Sequence, residues 1–183
     1  MSMKLYAHVL LFALGGTVLT ASTPRILGSG ASLKDSAIAE EMVAAQIAAG
    51  DRFMRGSQFG RAEGAYQVAA RLERARGRLP VEAVRRMANA RYFQGDFGAA
   101  VGHLADLEDE AAAAGDRRVE FWAAIDAAYI ARLAGNDEGL RTHITRAQML
   151  LDGGAFPEEE VDEVIATVTS RDLRVFAPHL ASW

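Results

Sequence analysis

Apolar residues return along this chain at steps of three and four. Ile38, Met42 and Ile47 open the pattern, which runs on towards Met54. Phe59, Ala62, Tyr66, Ala69 and Leu72 form one face, and Val81, Val84, Ala88 and Tyr92 the next. Phe97, Ala100, Leu104, Leu107 and Ala111 follow, then Trp122, Ile125, Tyr129 and Leu133. Leu140, Ile144, Ala147 and Leu151 precede a last group, Val161, Val164, Ile165 and Val168. This spacing predicts seven amphipathic helices, and no stretch has the two-residue alternation of a strand. Six breaks separate the faces: Gly56-Ser57, Gly77 with Pro80, Gly95-Asp96, Gly115-Asp116, Gly135-Asn136 and Gly153-Gly154. Ser32 and Asp35 have capping-box spacing and predict the start of the first helix. Pro157 and the acids Glu158, Glu159 and Glu160 suit the first turn of the last one.

The pattern repeats at a longer period. Ala62, Ala100 and Leu140 align at intervals of 38 and 40 residues. The same frame aligns Tyr66 with Leu104 and Ile144, and Ala69 with Leu107 and Ala147. Phe59 and Phe97 match three positions earlier. A helix pair recurring at such a period is the signature of an α-solenoid. In "GDRFMRGSQFGRAEGAYQVA", Gly50, Phe53, Phe59, Ala62, Tyr66 and Ala69 fall in the register of the tetratricopeptide repeat family, which this stretch resembles. "ARYFQGDFGAAVGHLADL" matches at Gly95, Phe97 and Ala100, with Tyr92 one position late. "AAYIARLAGNDEGLRTHITRA" is degenerate, with Asp137 where the turn aromatic belongs and Leu140 in place of alanine. The period exceeds the usual 34 residues of that family, so longer helices are expected. The resemblance covers Asp35 to Asp152 and implies an all-α, TPR-like solenoid of three helix pairs with a C-terminal capping helix. A plain helical bundle is the competing architecture.

The expected organisation is therefore a hydrophobic signal-anchor or signal peptide at 1–27, a flexible linker at 28–34 and the repeat domain at 35–152. A capping helix and tail occupy 153–183. In the tail, Phe176, Leu180 and Trp183 are expected to dock on the last helix.

Composition agrees with an all-helical chain. Half of the 183 residues are apolar but only 8% aromatic, so alanine dominates, and there are only four prolines. Cysteine is absent, which excludes disulfides, thiolate metal sites, a cysteine nucleophile and lipid acylation at cysteine. The net charge of -4 conceals an uneven distribution. From Asp51 to Arg91 ten arginines face four acids, and from Tyr92 to Glu163 sixteen acids face five arginines. Such a dipolar chain steers partners at either end, unless the charges serve only to keep helix exteriors wet.

Leu5 to Thr23 carries no formal charge and lies between Lys4 and Arg25. Its length approaches that of a membrane span, and a secretory signal would look similar. No A-x-A motif follows, which favours a retained anchor with the helical domain on the periplasmic side. Secretion to the periplasm after cleavage near Ser22 or Ala31 is the alternative. "GSGAS", Gly28 to Ser32, would be the tether, since it lacks the Gly-Lys-Ser/Thr that a phosphate loop requires.

No constellation of residues suggests catalysis, a metal or a cofactor. His8, His103, His143 and His179 are scattered, and the sequence holds no G-x-S-x-G, H-E-x-x-H, P-loop or dinucleotide fingerprint. His103 and His143 are expected on exposed solenoid positions, and the acidic run "DLEDE", Asp106 to Glu110, on a wet helix exterior. The arginine cluster from Arg71 to Arg86 lacks interleaved aromatics, so nucleic acid is not an expected partner. The family resemblance implies a better use for it. Arg85, Arg86 and Asn89 resemble the positions with which some repeat proteins clamp a peptide carboxylate on the concave surface. The expected function is a non-catalytic scaffold or adaptor for other protein subunits or peptides, held at a membrane by its first segment and belonging to a larger assembly. Gly15-Gly16 would let that segment pack closely against a partner helix. The alternative is an all-α enzyme or enzyme-associated domain, which would require a pocket of convergent polar groups.

Overall fold

The computed structural model describes residues 29–170, with side chains from Ser36 to Thr169. Among the described residues there are seven helices and no strand: α1 (Ser29–Arg55), α2 (Phe59–Ala75), α3 (Val81–Phe93), α4 (Phe97–Ala114), α5 (Arg117–Leu133), α6 (Asp137–Asp152) and α7 (Glu158–Ser170). All six breaks read from the sequence separate these helices. The expected linker does not survive intact. The chain is already helical at Ser29, so Ser32 lies inside α1 rather than at its cap. Ala31, Leu33 and Lys34 favour a helix, and the single Gly30 among them costs only about 1 kcal/mol. The apolar segment Leu5–Thr23 and the tail 171–183 lie outside the described residues.

Every turn closes in the same way. After α3, the Gly95 N–H donates to the Tyr92 carbonyl at 2.9 Å and the Asp96 N–H to the Arg91 carbonyl at 3.0 Å, with Gly95 left-handed at φ 78°. This is the Schellman arrangement. It recurs around Gly77, Gly115, Gly135 and Gly154. At the first break Ser57, not Gly56, takes the left-handed position. The residue after three of these glycines caps the following helix. Asp96 accepts from the Ala99 N–H, Asp116 from the Val119 N–H and Asn136 from the Gly139 N–H, at 2.9–3.1 Å. A chain reversal with a cap built in makes consecutive helices antiparallel neighbours.

From α1 to α6 each helix packs on its sequence neighbours. The aligned columns supply the core: Ala62, Ala100, Tyr66, Leu104, Ile144, Ala69, Leu107 and Ala147 are all buried. Leu140 is half-buried. The last helix is held by Val164 and Val168, in one cluster with Phe121, Ile125 and Phe156. Four residues expected in the core are exposed instead. Ile38 and Met42 lie on the N-terminal half of α1 and are exposed among the described residues, although the end of α2 reaches Ser36 and Glu40 beside them. Tyr129 and Leu133 face outwards because the smaller Ala124, Ala127, Ala128 and Ala131, with Ile130, take the buried sides of α5.

Polar contacts follow the same period as the apolar ones. Arg74 bonds Glu110, 36 residues on, and Arg85 bonds Asp126, 41 residues on. Arg76 reaches Glu40 across 36 residues, and Arg118 reaches Glu160 across 42. The Arg74, Arg85 and Arg118 bonds each join one helix pair to the next, while Arg76 ties the end of α2 back to α1 within the first pair. The basic and acidic stretches of the sequence partly neutralise each other through these bonds.

Candidate partner-binding groove

One stripe of α3 carries Arg86, Asn89 and Phe93 at helical spacing. It forms the common wall of two adjoining depressions, of about 940 and 270 Å³. The larger lies between α3 and α5 and is lined by Val81, Arg85, Tyr92, Asp126, Tyr129 and Ile130 besides the stripe. The smaller continues to Asp51, Met54 and Arg55 of α1. The result is one open groove across the first helices of three consecutive pairs. Arg85, Arg86 and Asn89, singled out in the sequence, all line it.

The two arginines are already engaged. Arg85 Nε donates to Asp126 Oδ2 at 2.6 Å. Arg86 donates to Glu82 Oε1 from Nε and Nη2, at 3.2 and 2.8 Å, and from Nη1 to Asp51. Burial works against the charge of Arg86, but the Glu82 hydrogen bond and the Asp51 charge outweigh it and hold its pKa above the ordinary value. Tyr66, in the wall below, donates its hydroxyl to Asp51 Oδ1 at 2.7 Å. Burial, together with that bond to a carboxylate, pushes the Tyr66 phenol up to about 12. A ligand carboxylate would therefore have to compete with carboxylates already in place.

What the groove leaves open is different in kind. Asn89 is exposed, and its amide makes no hydrogen bond among the described residues. Phe93 is 59% exposed despite stacking on Phe59 at 5.7 Å and meeting Tyr92 edge-on at 5.5 Å. Phe93 falls outside the apolar stripe of α3 and so carries no core signal in the sequence. That displacement was the available signal, since a large aromatic off the core face has to lie at a surface.

The two histidines give no second site, though they lie differently from expectation. His143 is buried, with Nδ1 2.9 Å from Glu108 Oε2, and Glu108 of the acidic run is buried too. Arg146 bonds Glu120, which is also buried, and lies 3.8 Å from Glu108 Oε1. His103 is half-buried beside Glu63 at 3.2 Å. These are interhelical ties, facing neighbouring helices rather than a cleft. Among the described residues no group of three or more His, Asp or Glu side chains is placed to hold a metal ion. No described helix is long and apolar enough to cross a membrane.

The chain matches no known family model, no curated protein and no solved structure. The groove must therefore be interpreted from its own chemistry.

Proposed function

We propose that this protein is a non-catalytic adaptor that holds a segment of another polypeptide in the groove across α1, α3 and α5. The observation that carries this reading is the exposed stripe of α3, where an aromatic ring and an unengaged amide border the open groove. An enzyme site more often encloses its substrate in a cleft with a few converging polar groups. Here the polar groups other than Arg55 pair with one another, and the rest of the open surface is apolar with one amide donor and acceptor. Such a surface suits a peptide backbone and an apolar side chain.

The repeat-spaced core columns and interhelical ion pairs support a TPR-like solenoid, in which first helices line the concave side. The apolar segment Leu5–Thr23 would hold this domain at a membrane, outside the cytoplasm, as an accessory part of a larger assembly.

Native purification of the full chain from its own membranes in mild detergent tests the reading. Wild type should carry a stoichiometric polypeptide partner, and the groove variant Phe93→Glu should lose it while keeping the same helical content. Recovery of the chain alone, or of an identical partner set with both forms, would overturn the proposal.

A further inference from the structure

Resting on the adaptor reading, we infer that residues 171–183 of the same chain occupy the groove until a partner displaces them. The first ground is charge. The groove is lined by three arginines, Arg55, Arg85 and Arg86, and three carboxylates, Asp51, Glu82 and Asp126. Five of these six charges are paired within the groove, so a strongly charged segment finds little uncompensated charge there. Besides Arg55 at the α1 end, the open chemistry is Phe93, Tyr129 and the Asn89 amide, which suits a segment with aromatic or aliphatic side chains and little charge. Val175–Trp183, "VFAPHLASW", is such a segment, with no Asp, Glu, Lys or Arg side chain and with Phe176, Leu180 and Trp183 as apolar groups.

The second ground is position. Arg118, in the first turn of α5, bonds Glu160, in the first turn of α7, at 2.7 Å. Val164 and Val168 then share one core cluster with Phe121, Ile125 and Ala128. The starts of the two helices thus lie together, and Val168 near the end of α7 shares the cluster of Ala128, the sequence neighbour of Tyr129. Thirteen residues follow Ser170. Extended, they reach roughly 40 Å at about 3.3 Å each. Crossing from α5 to α1 takes two interhelical steps, about 20 Å at 8–10 Å each. The segment has length to spare.

Occupation by the chain itself would lower the affinity for any partner by the fraction of time the groove is open. It would also cover Phe93 in the absence of that partner.

The test places a benzophenone amino acid at position 93 of the full-length chain, and in a second variant at position 129 in case the first fails to fold. After irradiation in cells and of the purified chain in mild detergent, the crosslinked peptides are mapped by mass spectrometry. The expected product joins position 93 or 129 to residues 171–183 of the same chain at monomer mass. Phe176→Asp with Leu180→Asp should cut its yield at least fivefold. Crosslinks to another copy or to another polypeptide, without the intramolecular product, would overturn this inference and leave the adaptor reading standing. A yield unchanged by the double substitution would overturn it too. Crosslinks confined to residues 29–170, in cells as well as in detergent, would remove both.

Discussion

Gly50 of α1 lies against the ring of Tyr66 of α2, so closely that a Cβ at Gly50 would collide with Cε1 and stand 2.6 Å from Cδ1 and Cζ. Tyr66 is itself buried and tied through its hydroxyl to Asp51, so the ring has little freedom to retreat. Two effects oppose each other in Gly50→Ala. Overpacking costs about 1–3 kcal/mol, while alanine gains about 1 kcal/mol of helix propensity. The collision wins, and urea denaturation should show a net loss of about 1 kcal/mol or more. Gly64→Ala and Gly102→Ala are the controls, because nothing stands within 4 Å of a Cβ at either position. Both should raise stability by about 0.5–1 kcal/mol.

The raised pKa of Tyr66 makes the fold alkali-sensitive. The phenol is neutral in the folded chain until about pH 12, whereas an unfolded tyrosine ionises near 10.0. A folded pKa above the unfolded one contributes stability that is complete below pH 10 and lost as pH rises towards 12. Two units correspond to roughly 2–3 kcal/mol. The difference in unfolding free energy between wild type and Tyr66→Phe should therefore be flat from pH 7 to 9 and shrink above 10. Ultraviolet titration should show one tyrosine ionising about two units late.

Arg146 should matter far more than Arg118. Glu120 and Glu108 are buried, at 5% and 8% exposure, and Arg146 is the cation that faces both. Removing it in Arg146→Met strands buried charge, at a cost of about 3 kcal/mol, the low end for a broken buried pair because Arg146 is itself partly exposed. The Arg118–Glu160 pair is exposed on both sides, and Arg118→Met should cost less than about 1 kcal/mol. Adding Glu120→Gln to Arg146→Met should recover part of the loss. Denaturation of the four proteins in one buffer would check the order.

The three side-chain caps predict a modest, additive series. Asp96→Ala, Asp116→Ala and Asn136→Ala each remove one hydrogen bond to an N–H of the following helix's first turn. Each should cost about 1 kcal/mol. The caps stand far enough apart for the triple variant to lose close to the sum. A triple variant that lost no more than one single variant would show that the turns do not act independently.

The helix order, the six turns and most core columns were legible in the sequence because each depends on local pattern. Gly95-Asp96 signals reversal and cap together, and Ala62 and Ala100 declare themselves by their spacing. What stayed hidden depends on residues about a repeat away. Nothing near His143 reveals that Glu108, 35 positions earlier, buries it. Arg85 and Arg86 are conspicuous as a basic pair, but their engagement by Asp126 and Asp51 needs the helices side by side. Tyr129 fits the three-four pattern of α5 and still faces outwards, because four alanines let that helix be buried on several sides and a pattern on one face no longer decides. The open stripe of α3 is half legible: its polar members stand out in the sequence, and Phe93 does not.

The repeat-spaced ties bear on how the chain acquires this structure. Among the described residues no side-chain hydrogen bond joins positions more than 42 apart. Among the described helices no long loop has to close before these ties form, and low contact order of this kind goes with folding in microseconds to milliseconds. Synthesis delivers about 5–20 residues per second. Each helix pair can therefore settle against the one before it within seconds of leaving the ribosome, and assembly proceeds along the chain in the order of translation.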